Sequence, residues 1–352
     1  MKKYFTKRLL DWHHNTNTRS LPWKEEKDPY KIWLSEIILQ QTRAQQGLPY
    51  YLKFTEAYPT LQALATTKDE KAFKLWQGLG YYNRCKNMLA SARYISKELK
   101  GKFPDTYEGL LALKGIGPYT AAAIASFAYN LPHAVVDGNV YRVLSRYFGI
   151  DTPTDTTAGK KLFTTLANEL LDKKNSAAYN QAIMDLGATI CSPQNANCEE
   201  CPLQKNCVAY KQDLINDLPV KSKKLKVRKR YFNYILLFAG DKLWIHKRAA
   251  GDIWENLYEP LLIEQAHTLT RQELQKHDIY KVVPKNYNNI KYEGLLTQKL
   301  THQAIESHFF NIKLKNTVKI AVKGGKWVKI KDLKKYAFPK TVLSFLEKKL
   351  YF

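Results

Sequence analysis

Four cysteines lie within a short stretch of the sequence, and cysteine thiolates are common metal ligands. Cys191, Cys198, Cys201 and Cys207 follow the pattern C-x6-C-x2-C-x5-C, whereas the fifth cysteine, Cys85, lies far away and is expected to be an ordinary buried thiol. Two cysteines only three residues apart favour metal binding over a disulfide in a cytosolic chain. Zinc and an iron–sulfur cluster both accept four thiolates, so the spacing predicts a metal centre at 191–207 and leaves the metal open.

Glu36 is a carboxylate in a segment that otherwise belongs in a core. Residues 32–39 read IWLSEIIL, in which only Ser35 and Glu36 are polar. A buried carboxylate costs free energy unless it has a partner or a task. The pattern therefore predicts a general acid or base, and the alternative is a glutamate on the surface of an amphipathic helix.

Two glycines precede a further candidate helix. Residues 113–121 read LKGIGPYTA, with Gly115 and Gly117 followed by Pro118 at a first helical position. Glycines let backbone N–H groups approach an anion, and the helix adds its positive N-terminal end. The pattern predicts a helix-hairpin-helix that binds a DNA phosphate, and the alternative is a tight turn between helices.

A second carboxylate follows about twenty residues later. Residues 135–140 read VVDGNV, which places Asp137 at the N-terminus of a helix that contains Tyr141 and Tyr147. An aspartate there caps the helix, and beside a DNA groove it can also serve chemistry. The sequence alone leaves both interpretations open.

The elements that position these residues divide the chain into two halves. The pattern is helical from Asp28 to about Tyr210, with helix starts expected at Asp28-Pro29, Pro104-Asp105 and Pro118. Residues 221–230, KSKKLKVRKR, have seven basic side chains and no acidic one, which is typical of a linker. Beyond it, residues 231–238 and 243–246 predict a β-hairpin around Gly240-Asp241. We predict a mainly α domain at 1–217, a basic linker at 218–230 and an α+β domain at 231–352.

The charge balance indicates the kind of partner. The chain has 352 residues, with 56 Lys and Arg against 32 Asp and Glu, a net charge of +24. Such a surface attracts polyanions, above all nucleic acid, although a protein that is merely basic remains an alternative. No apolar run approaches the roughly 18 residues of a membrane span, and the basic N-terminus has no apolar segment behind it. We therefore expect a cytosolic protein with no membrane association.

Several of these patterns together resemble a known superfamily. The hairpin LKGIGPYTA, the motif VVDGNV and the cysteine spacing are similar to those of the endonuclease III superfamily of DNA glycosylases. WLSEIILQQTR (33–43), GLGYYNR (78–84) and RSLPW (19–23) resemble the MutY family of adenine glycosylases. The resemblance covers about residues 5–210. It implies a helix-hairpin-helix glycosylase fold with a [4Fe-4S] cluster on the four cysteines.

The resemblance implies a role for each matching residue. Glu36 would protonate adenine at N7 and later take the proton of the attacking water, and Asp137 would stabilise the sugar cation. Tyr119 and Asn139 would position Asp137 or shield the sugar. The adenine must first leave the base stack, because no carboxylate reaches it inside a duplex. The residues that would contact DNA are Arg19, Leu21, Trp23, Gln41, Thr42, Tyr81, Gly115 and Gly117.

Position 119 separates two classes of enzyme within the superfamily. Members that also cut the DNA backbone have a lysine there, two residues after the second hairpin glycine, which forms a Schiff base with the sugar. This chain has Tyr119. The resemblance therefore implies a monofunctional glycosylase, with at most weak incidental lyase activity from lysines such as Lys114.

The C-terminal half resembles the MutT-like, or NUDIX-like, domain that MutY proteins carry. The spaced carboxylates R-E-x-x-E-E that bind magnesium in the hydrolases are missing, which points to a binding role. In the family a Phe-Ser-His turn probes 8-oxoguanine, and the corresponding stretch here is Leu300-Thr301-His302. Thr301 keeps the hydroxyl, and Leu300 replaces the phenylalanine. Without the resemblance, His302 would be interpreted as a surface histidine.

We predict a monomeric base-excision repair enzyme of the bacterial cytosol. It would hydrolyse the N-glycosidic bond of adenine paired with 8-oxoguanine or guanine in double-stranded DNA. One alternative is an endonuclease III-like pyrimidine glycosylase with lyase activity. The other is a non-enzymatic basic DNA-binding protein with a structural metal.

Overall fold

The computed structural model describes residues 1–222, 227–277 and 290–350. The chain folds into two compact units, one made of Met1–Thr66 and Asn87–Lys224, the other of Thr67–Lys86 and Leu225–Phe352. The first is helical and the second combines a sheet with helices, which confirms the predicted fold class. The limits 1–217, 218–230 and 231–352 stay a prediction, and the segment 67–86 groups with the C-terminal sheet.

Several helices up to residue 211 begin after a residue whose side chain accepts a hydrogen bond from one of their first N–H groups, as at Asp28, Thr106, Asp137 and Thr156. Asp28 caps one helix before Pro29, and Pro118 opens another, as predicted. The helix expected at Pro104-Asp105 begins later, because Thr106 supplies the cap by accepting a hydrogen bond from the Gly109 N–H. The helices are α1 (Lys2–Asn15), α2 (Pro29–Leu39), α3 (Ala44–Ala57), α4 (Leu61–Thr66), α5 (Asp69–Trp76), α6 (Asn83–Lys97), α7 (Tyr107–Leu111), α8 (Pro118–Tyr129), α9 (Gly138–Phe148), α10 (Thr157–Leu170), α11 (Ser176–Thr189) and α12 (Val208–Lys211).

The core of the first unit is built around α8. Its sequence PYTAAAIASFAY is rich in alanine, so neighbouring helices can pack closely, and residues 120–127 are all buried. Helix α2 and helix α11 both pack against it, and α11 also contacts α1 and α9. The core therefore brings the starts of α8 and α9, where two of the predicted site residues lie, next to α2, which carries a third.

The second unit is built on a mixed sheet. Its strands pair in the order β3-β2-β1-β6-β5, with β4 added to β1 and β7 added to β2. Strands β1 and β6 run parallel, and the other pairs are antiparallel. The elements are β1 (Arg228–Ala239), β2 (Lys242–Lys247), β3 (Tyr258–Glu259), β4 (Leu261–Gln265), α13 (Arg271–Lys276), β5 (Ile290–Lys299), β6 (Gln303–Leu314), β7 (Lys326–Lys329) and α14 (Lys340–Leu350).

The predicted hairpin is confirmed, and its first strand begins within the basic run. Strands β1 and β2 pair through Phe238 and Leu243 across the Gly240-Asp241 turn. Arg228 to Arg230, however, belong to β1 and pair with β6. Arg230 is buried because Asp252 and Glu264 neutralise its charge through hydrogen bonds of 2.6–2.8 Å.

Apolar side chains of the sheet and of α13 form the core of the second unit. Ile235 and Leu237 of β1 meet Phe310 and Ile312 of β6, and Leu274 of α13 covers them. These side chains occur at every second position, as expected for one face of a sheet. Among the helices that the structure describes, none combines the length and the apolar character that crossing a membrane requires.

Candidate active site

Helix α2 carries Glu36 into the interior of the first unit. Every side chain from Ile32 to Ile38 is buried, so this part of the helix has no polar face, and Glu36 is only 7% exposed. Ser35, the other polar residue, satisfies its hydroxyl by donating to the Ile32 carbonyl oxygen at 2.7 Å. The alternative of a surface glutamate is therefore wrong.

Two other predicted site residues act on Glu36. Tyr119, the second residue of α8, forms a side-chain hydrogen bond with Glu36, and Asp137 is close enough to interact with it electrostatically. Burial raises the pKa of Glu36 to about 7; the Tyr119 hydrogen bond opposes this shift, and the Asp137 charge adds to it. Near neutral pH a large fraction of Glu36 is therefore protonated and able to donate.

Asp137 is the N-cap of α9, as the capping interpretation expects. Its Oδ1 accepts the backbone N–H groups of Asn139 at 2.9 Å and Val140 at 2.8 Å, and its Oδ2 accepts the Asn139 side-chain amide at 2.8 Å. Burial raises the pKa of Asp137, and these hydrogen bonds oppose the shift. Capping and chemistry are compatible here, because the same hydrogen bonds fix the carboxylate in the neighbourhood of Glu36.

Arg142 is a contact of this site that the sequence did not indicate. Its guanidinium donates to the Asn139 side-chain oxygen at 2.9 Å, to the Gly187 carbonyl at 2.6 Å and, through Nε, to the Cys191 carbonyl at 2.7 Å. The residue is 7% exposed. One buried cation thus joins the Asp137–Asn139 pair to the first residue of the cysteine segment. Nothing in the sequence distinguishes this arginine from one on the polar face of α9.

The turn between α7 and α8 contains both predicted glycines. Gly115 has φ 83°, and a Cβ there would lie 2.7 Å from Cβ of Asn87, so only glycine fits. Gly117 is the N-cap of α8, and a Cβ there would meet nothing within 4 Å. The predicted helix-hairpin-helix is therefore present, and its turn is open at Gly117.

The loop after α1 is held by an aspartate that the sequence did not single out. Asp185 of α11 is 2% exposed and accepts hydrogen bonds from Arg19 Nη1 at 2.7 Å and from Asn17 Nδ2 at 2.7 Å; Lys24 forms a further ion pair with it. Arg19, one of the predicted DNA contacts, is thereby half-buried and paired. An aspartate in YNQAIMDLG has no local feature that marks it as an anchor for a loop far away in sequence.

Four further residues predicted to contact DNA flank α2. Leu21 and Trp23 are half-buried, and the Trp23 ring packs edge-on against Tyr51 with centroids 5.3 Å apart. Gln41 is exposed and has φ 54°, whereas its neighbour Thr42 is half-buried. A left-handed backbone costs a non-glycine residue roughly 1–2 kcal/mol, and such strain is concentrated at functional sites.

The remaining predicted contacts lie in the second unit. Tyr81 is 47% exposed, also has a left-handed backbone (φ 48°), and its hydroxyl lies 2.6 Å from Oγ1 of Thr301. Leu300, Thr301 and His302 form the turn between β5 and β6, and Thr301 and His302 are exposed. The structure thus brings together Tyr81 and Thr301, which lie 220 residues apart in sequence.

The four clustered cysteines line one pocket, together with Ile190, Ile215 and Tyr210. All five cysteines of the described chain are free thiols, and Cys85 is buried as expected. Burial raises the pKa of Cys201 to about 12, so a thiolate there requires positive charge beside it. Among the described residues, no group of three or more His, Cys, Asp or Glu side chains is arranged as it would be around a bound metal ion.

Comparison with known proteins places the chain in a family. Residues 34–167 match the HhH-GPD superfamily base excision DNA repair protein, and residues 233–348 match the NUDIX domain. The adenine DNA glycosylase of Buchnera aphidicola subsp. Schizaphis graminum is 32% identical over 350 residues, which cover 97% of this chain and 98% of that protein. The chain belongs to the adenine DNA glycosylase family. The predicted resemblance is therefore confirmed.

Other adenine DNA glycosylases align over shorter stretches. That of Buchnera aphidicola subsp. Acyrthosiphon pisum is 36% identical over 259 residues, 73% of this chain and 74% of that protein. The mouse protein is 42% identical over 218 residues, 59% of this chain and 42% of its own length.

Solved structures match about three fifths of the chain. A thermostable thymine-DNA glycosylase is 31% identical with a TM-score of 0.55, covering 60% of this chain and 97% of that one. An endonuclease III–DNA complex, 18% identical with a TM-score of 0.52, covers 61% of this chain and 98% of that one and shows a shared fold alone.

Proposed function

We propose that this DNA N-glycosylase removes adenine paired with 8-oxoguanine or guanine in duplex DNA. The observation that carries the proposal is the buried Glu36, whose pKa is raised to about 7 beside Tyr119 and Asp137. A carboxyl group that is protonated near neutral pH can donate a proton to a leaving group. The +24 charge of the chain fits a DNA partner.

The first chemical step requires an acid at the base. Glu36 would donate its proton to N7 of an adenine flipped out of the stack, so that the base leaves without carrying negative charge. The ionised Glu36 would then accept a proton from the attacking water. Tyr119 donates to the carboxylate form and helps to stabilise it between these two events.

The second requirement is a negative charge at the sugar. Loss of the base leaves oxocarbenium character on the deoxyribose, and Asp137 would stabilise it. Asn139 holds one carboxylate oxygen of Asp137, and Arg142 holds Asn139 in turn. The carboxylate is therefore fixed before the charge develops, which is the arrangement that favours the transition state.

The absence of an amine at position 119 supports hydrolysis without strand cleavage. Tyr119 cannot form a Schiff base with the sugar, and the family's lysine-bearing members need one to cut the backbone. Lys114 is exposed on the hairpin, and any lyase activity from it should be weak.

The DNA contacts would come from both units. The Gly115–Gly117 turn and the start of α8 would hold a phosphate, because glycines let the backbone approach an anion and the helix adds its positive N-terminal end. In the first unit Arg19, Leu21, Trp23, Gln41 and Thr42 would contact the duplex. In the second, Tyr81 would wedge the helix, and Thr301 and His302 would probe the base opposite adenine.

The four cysteines would hold a [4Fe-4S] cluster. They line one pocket, and the buried Arg146 places Nη1 3.5 Å from Sγ of Cys191. A bound cluster would supply a rigid link across residues 191–207. Purified protein should contain about four irons per chain. Stoichiometric zinc without iron after anaerobic preparation would contradict this assignment.

The function is tested by base release from defined duplexes. Wild-type protein and Glu36→Gln are incubated with A:8-oxoguanine, A:G, A:T and T:G duplexes, and free bases are separated by chromatography. We expect adenine from the first two duplexes, strand breaks only after alkali, and no release by the variant. A released pyrimidine with strand breaks before alkali would favour the endonuclease III-like alternative, and binding without release would favour the non-enzymatic one.

Light scattering of the same preparation tests the expected monomer.

The reading of 8-oxoguanine is tested by a ratio. Thr301→Val removes the hydroxyl, and the rate for A:8-oxoguanine relative to A:G should fall by about 5- to 150-fold, the value of lost base-edge hydrogen bonds. Both rates must be measured at one salt concentration. Two variants serve as controls. Tyr81→Phe removes the hydroxyl that contacts Thr301 but leaves the Thr301 hydroxyl in place. Thr297→Val makes the same change at an exposed threonine of β5. An unchanged ratio in Thr301→Val with His302→Ala would remove this role from the domain.

A further inference from the structure

The turn that presents Tyr81 has a left-handed backbone at three positions. Gly78 and Gly80 have φ of 97° and 81°, and Tyr81 itself has φ 48°. The two glycines adopt such backbone angles readily, but a tyrosine does so only where its surroundings hold it. The contacts around Tyr81 must therefore hold this backbone in place.

One carbonyl oxygen at the centre of this turn accepts two side-chain donors. Trp76 Nε1 donates to the Gly80 oxygen at 2.9 Å, and Arg84 Nη2 donates to the same oxygen at 3.3 Å. Trp76 is fully buried at the end of α5, and Arg84 lies in the first turn of α6. The peptide that precedes Tyr81 is thus tied to both flanking helices.

The guanidinium of Arg84 also contacts two aromatic rings. Its Cζ lies 5.2 Å from the ring centroid of Trp76 and 5.5 Å from that of Tyr81. The first ring is buried and the second is 47% exposed. Burial lowers the pKa of Arg84 to about 10, so the group is still a cation at neutral pH and attracts the electron-rich faces of both rings.

We propose that Arg84 is a positioning residue that holds the Tyr81 ring ready for insertion into the DNA. The cation–π contact fixes the ring from one side, and the bond to Gly80 fixes the backbone that carries it. Thr301 restrains the hydroxyl end of the same ring at 2.6 Å. This inference rests on the proposed function, in which Tyr81 wedges the duplex.

A purely structural arginine would have a different signature. If Arg84 only stabilised the turn, its loss would lower the folding stability and would leave the ring's action on DNA intact in the folded protein. If Arg84 acts through Tyr81, its loss should matter only while the tyrosine is present. A double-mutant cycle separates the two cases.

The experiment measures unstacking of DNA as well as excision. Duplexes with A opposite 8-oxoguanine carry 2-aminopurine next to the 8-oxoguanine, so that fluorescence reports insertion of the wedge. The proteins are wild type, Arg84→Met, Arg84→Lys, Tyr81→Ala and the double variant Arg84→Met/Tyr81→Ala. Arg93→Met removes an arginine of the same helix whose Nε donates to the Ala65 carbonyl, and it serves as the control.

We expect Arg84→Met to lower both the fluorescence rise and the single-turnover rate by about 5- to 30-fold, the value of a partly desolvated cation–π contact. Arg84→Lys should recover only part of the loss, because an ammonium keeps the charge but lacks the planar fork. The double variant should be no worse than Tyr81→Ala, and Arg93→Met should match wild type.

Two outcomes would overturn the proposal. Losses that multiply in the double variant would show that Arg84 acts independently of Tyr81, and a normal fluorescence rise in Arg84→Met would show that the ring needs no such support. Failure of the proposed function is distinguishable, because wild-type protein would then release no adenine while the fluorescence cycle on binding still reports on Arg84.

Discussion

Each unit contains a buried glutamate that is hydrogen-bonded to a tyrosine, and the two pairs differ in their countercharge. In the first unit Glu36 bonds to Tyr119, and no cation acts on it within the described residues. In the second unit Glu259 accepts a hydrogen bond from the Tyr234 hydroxyl at 3.2 Å and two from Arg248 at 2.8 and 2.9 Å. The glutamates are 7% and 2% exposed, so burial does not distinguish them.

The difference teaches which buried carboxyl can do acid–base chemistry. Burial raises the pKa of both groups to about 7, and at Glu259 the guanidinium of Arg248 and the hydroxyl of Tyr234 oppose a larger shift. Glu36 has only the neutral Tyr119 hydroxyl to oppose it, and the nearby Asp137 adds to the shift. A proton can move to or from Glu36 without an ion pair being formed or broken, whereas ionised Glu259 is held by two hydrogen bonds from Arg248 and stabilises the fold.

The largest expected effect comes from removing the uncompensated acid. Glu36→Gln keeps the size of the side chain and its hydrogen-bonding ability but cannot transfer a proton. The single-turnover rate of adenine release should fall by about 10²- to 10⁴-fold, with duplex binding retained. Near-normal excision by a folded variant would exclude Glu36 as the acid.

The same substitution at the paired glutamate should have the opposite profile. Glu259→Gln leaves Arg248 buried without its main countercharge, and breaking a buried ion pair typically costs roughly 3–5 kcal/mol. Urea unfolding should show this loss, because Asp252 alone, at 2.7 Å from Arg248, cannot replace both bonds. Excision per folded molecule should stay within a few-fold of wild type. A large loss of rate in fully folded Glu259→Gln would break the comparison.

Asp137 tests whether a capping carboxylate also does chemistry. Asn caps a helix about as well as Asp, so Asp137→Asn should leave the unfolding free energy nearly unchanged. The rate should fall by about 10²- to 10³-fold, because the amide cannot balance a developing cation. Asp28→Asn makes the same change at the cap of α2 and should excise normally. If both variants excise alike, Asp137 is only a cap.

The sequence predicted local features of this molecule better than distant contacts. The Asp28 and Pro118 helix starts, the Gly115–Gly117 turn and the β1–β2 hairpin each depend on a few consecutive residues, and all are present. The polar Glu36 in an apolar segment was visible because a buried carboxylate contradicts its neighbours.

Contacts between distant residues left no mark in the sequence. Asp185 and Arg142 occupy positions that a surface residue of an amphipathic helix could equally hold, and only the fold brings them to Arg19 and Cys191. Arg230, at the end of the basic run, is buried in the sheet for a related reason: carboxylates 22 and 34 residues further on compensate its charge. Local charge counts cannot register such partners.

The pH dependence of excision should follow Glu36. The acid must be protonated to act, and its pKa is about 7, so the rate should fall as the pH rises through 7 and approach a tenfold loss per unit above pH 8. Single-turnover rates between pH 6 and 9 measure this profile. The residual rate of Glu36→Gln should lack this inflection, and a flat wild-type profile would show that no group with this pKa controls the chemistry.

The smallest effect is on stability. In the unfolded chain Glu36 has its ordinary pKa of 4.5, and in the folded protein it is about 7, so between these values the folded state binds the proton more tightly. Stability is therefore lost as the pH rises through this window, and the share that falls between pH 6 and pH 8 is about 1 kcal/mol. Glu36→Gln cannot ionise, so its free energy of unfolding lacks this pH dependence. Relative to wild type, the unfolding free energy of the variant should therefore rise by about 1 kcal/mol from pH 6 to pH 8. Urea unfolding at the two pH values measures this difference. A constant difference between wild type and Glu36→Gln would mean that Glu36 is already ionised at pH 6, and the contrast between the two glutamates would then fail.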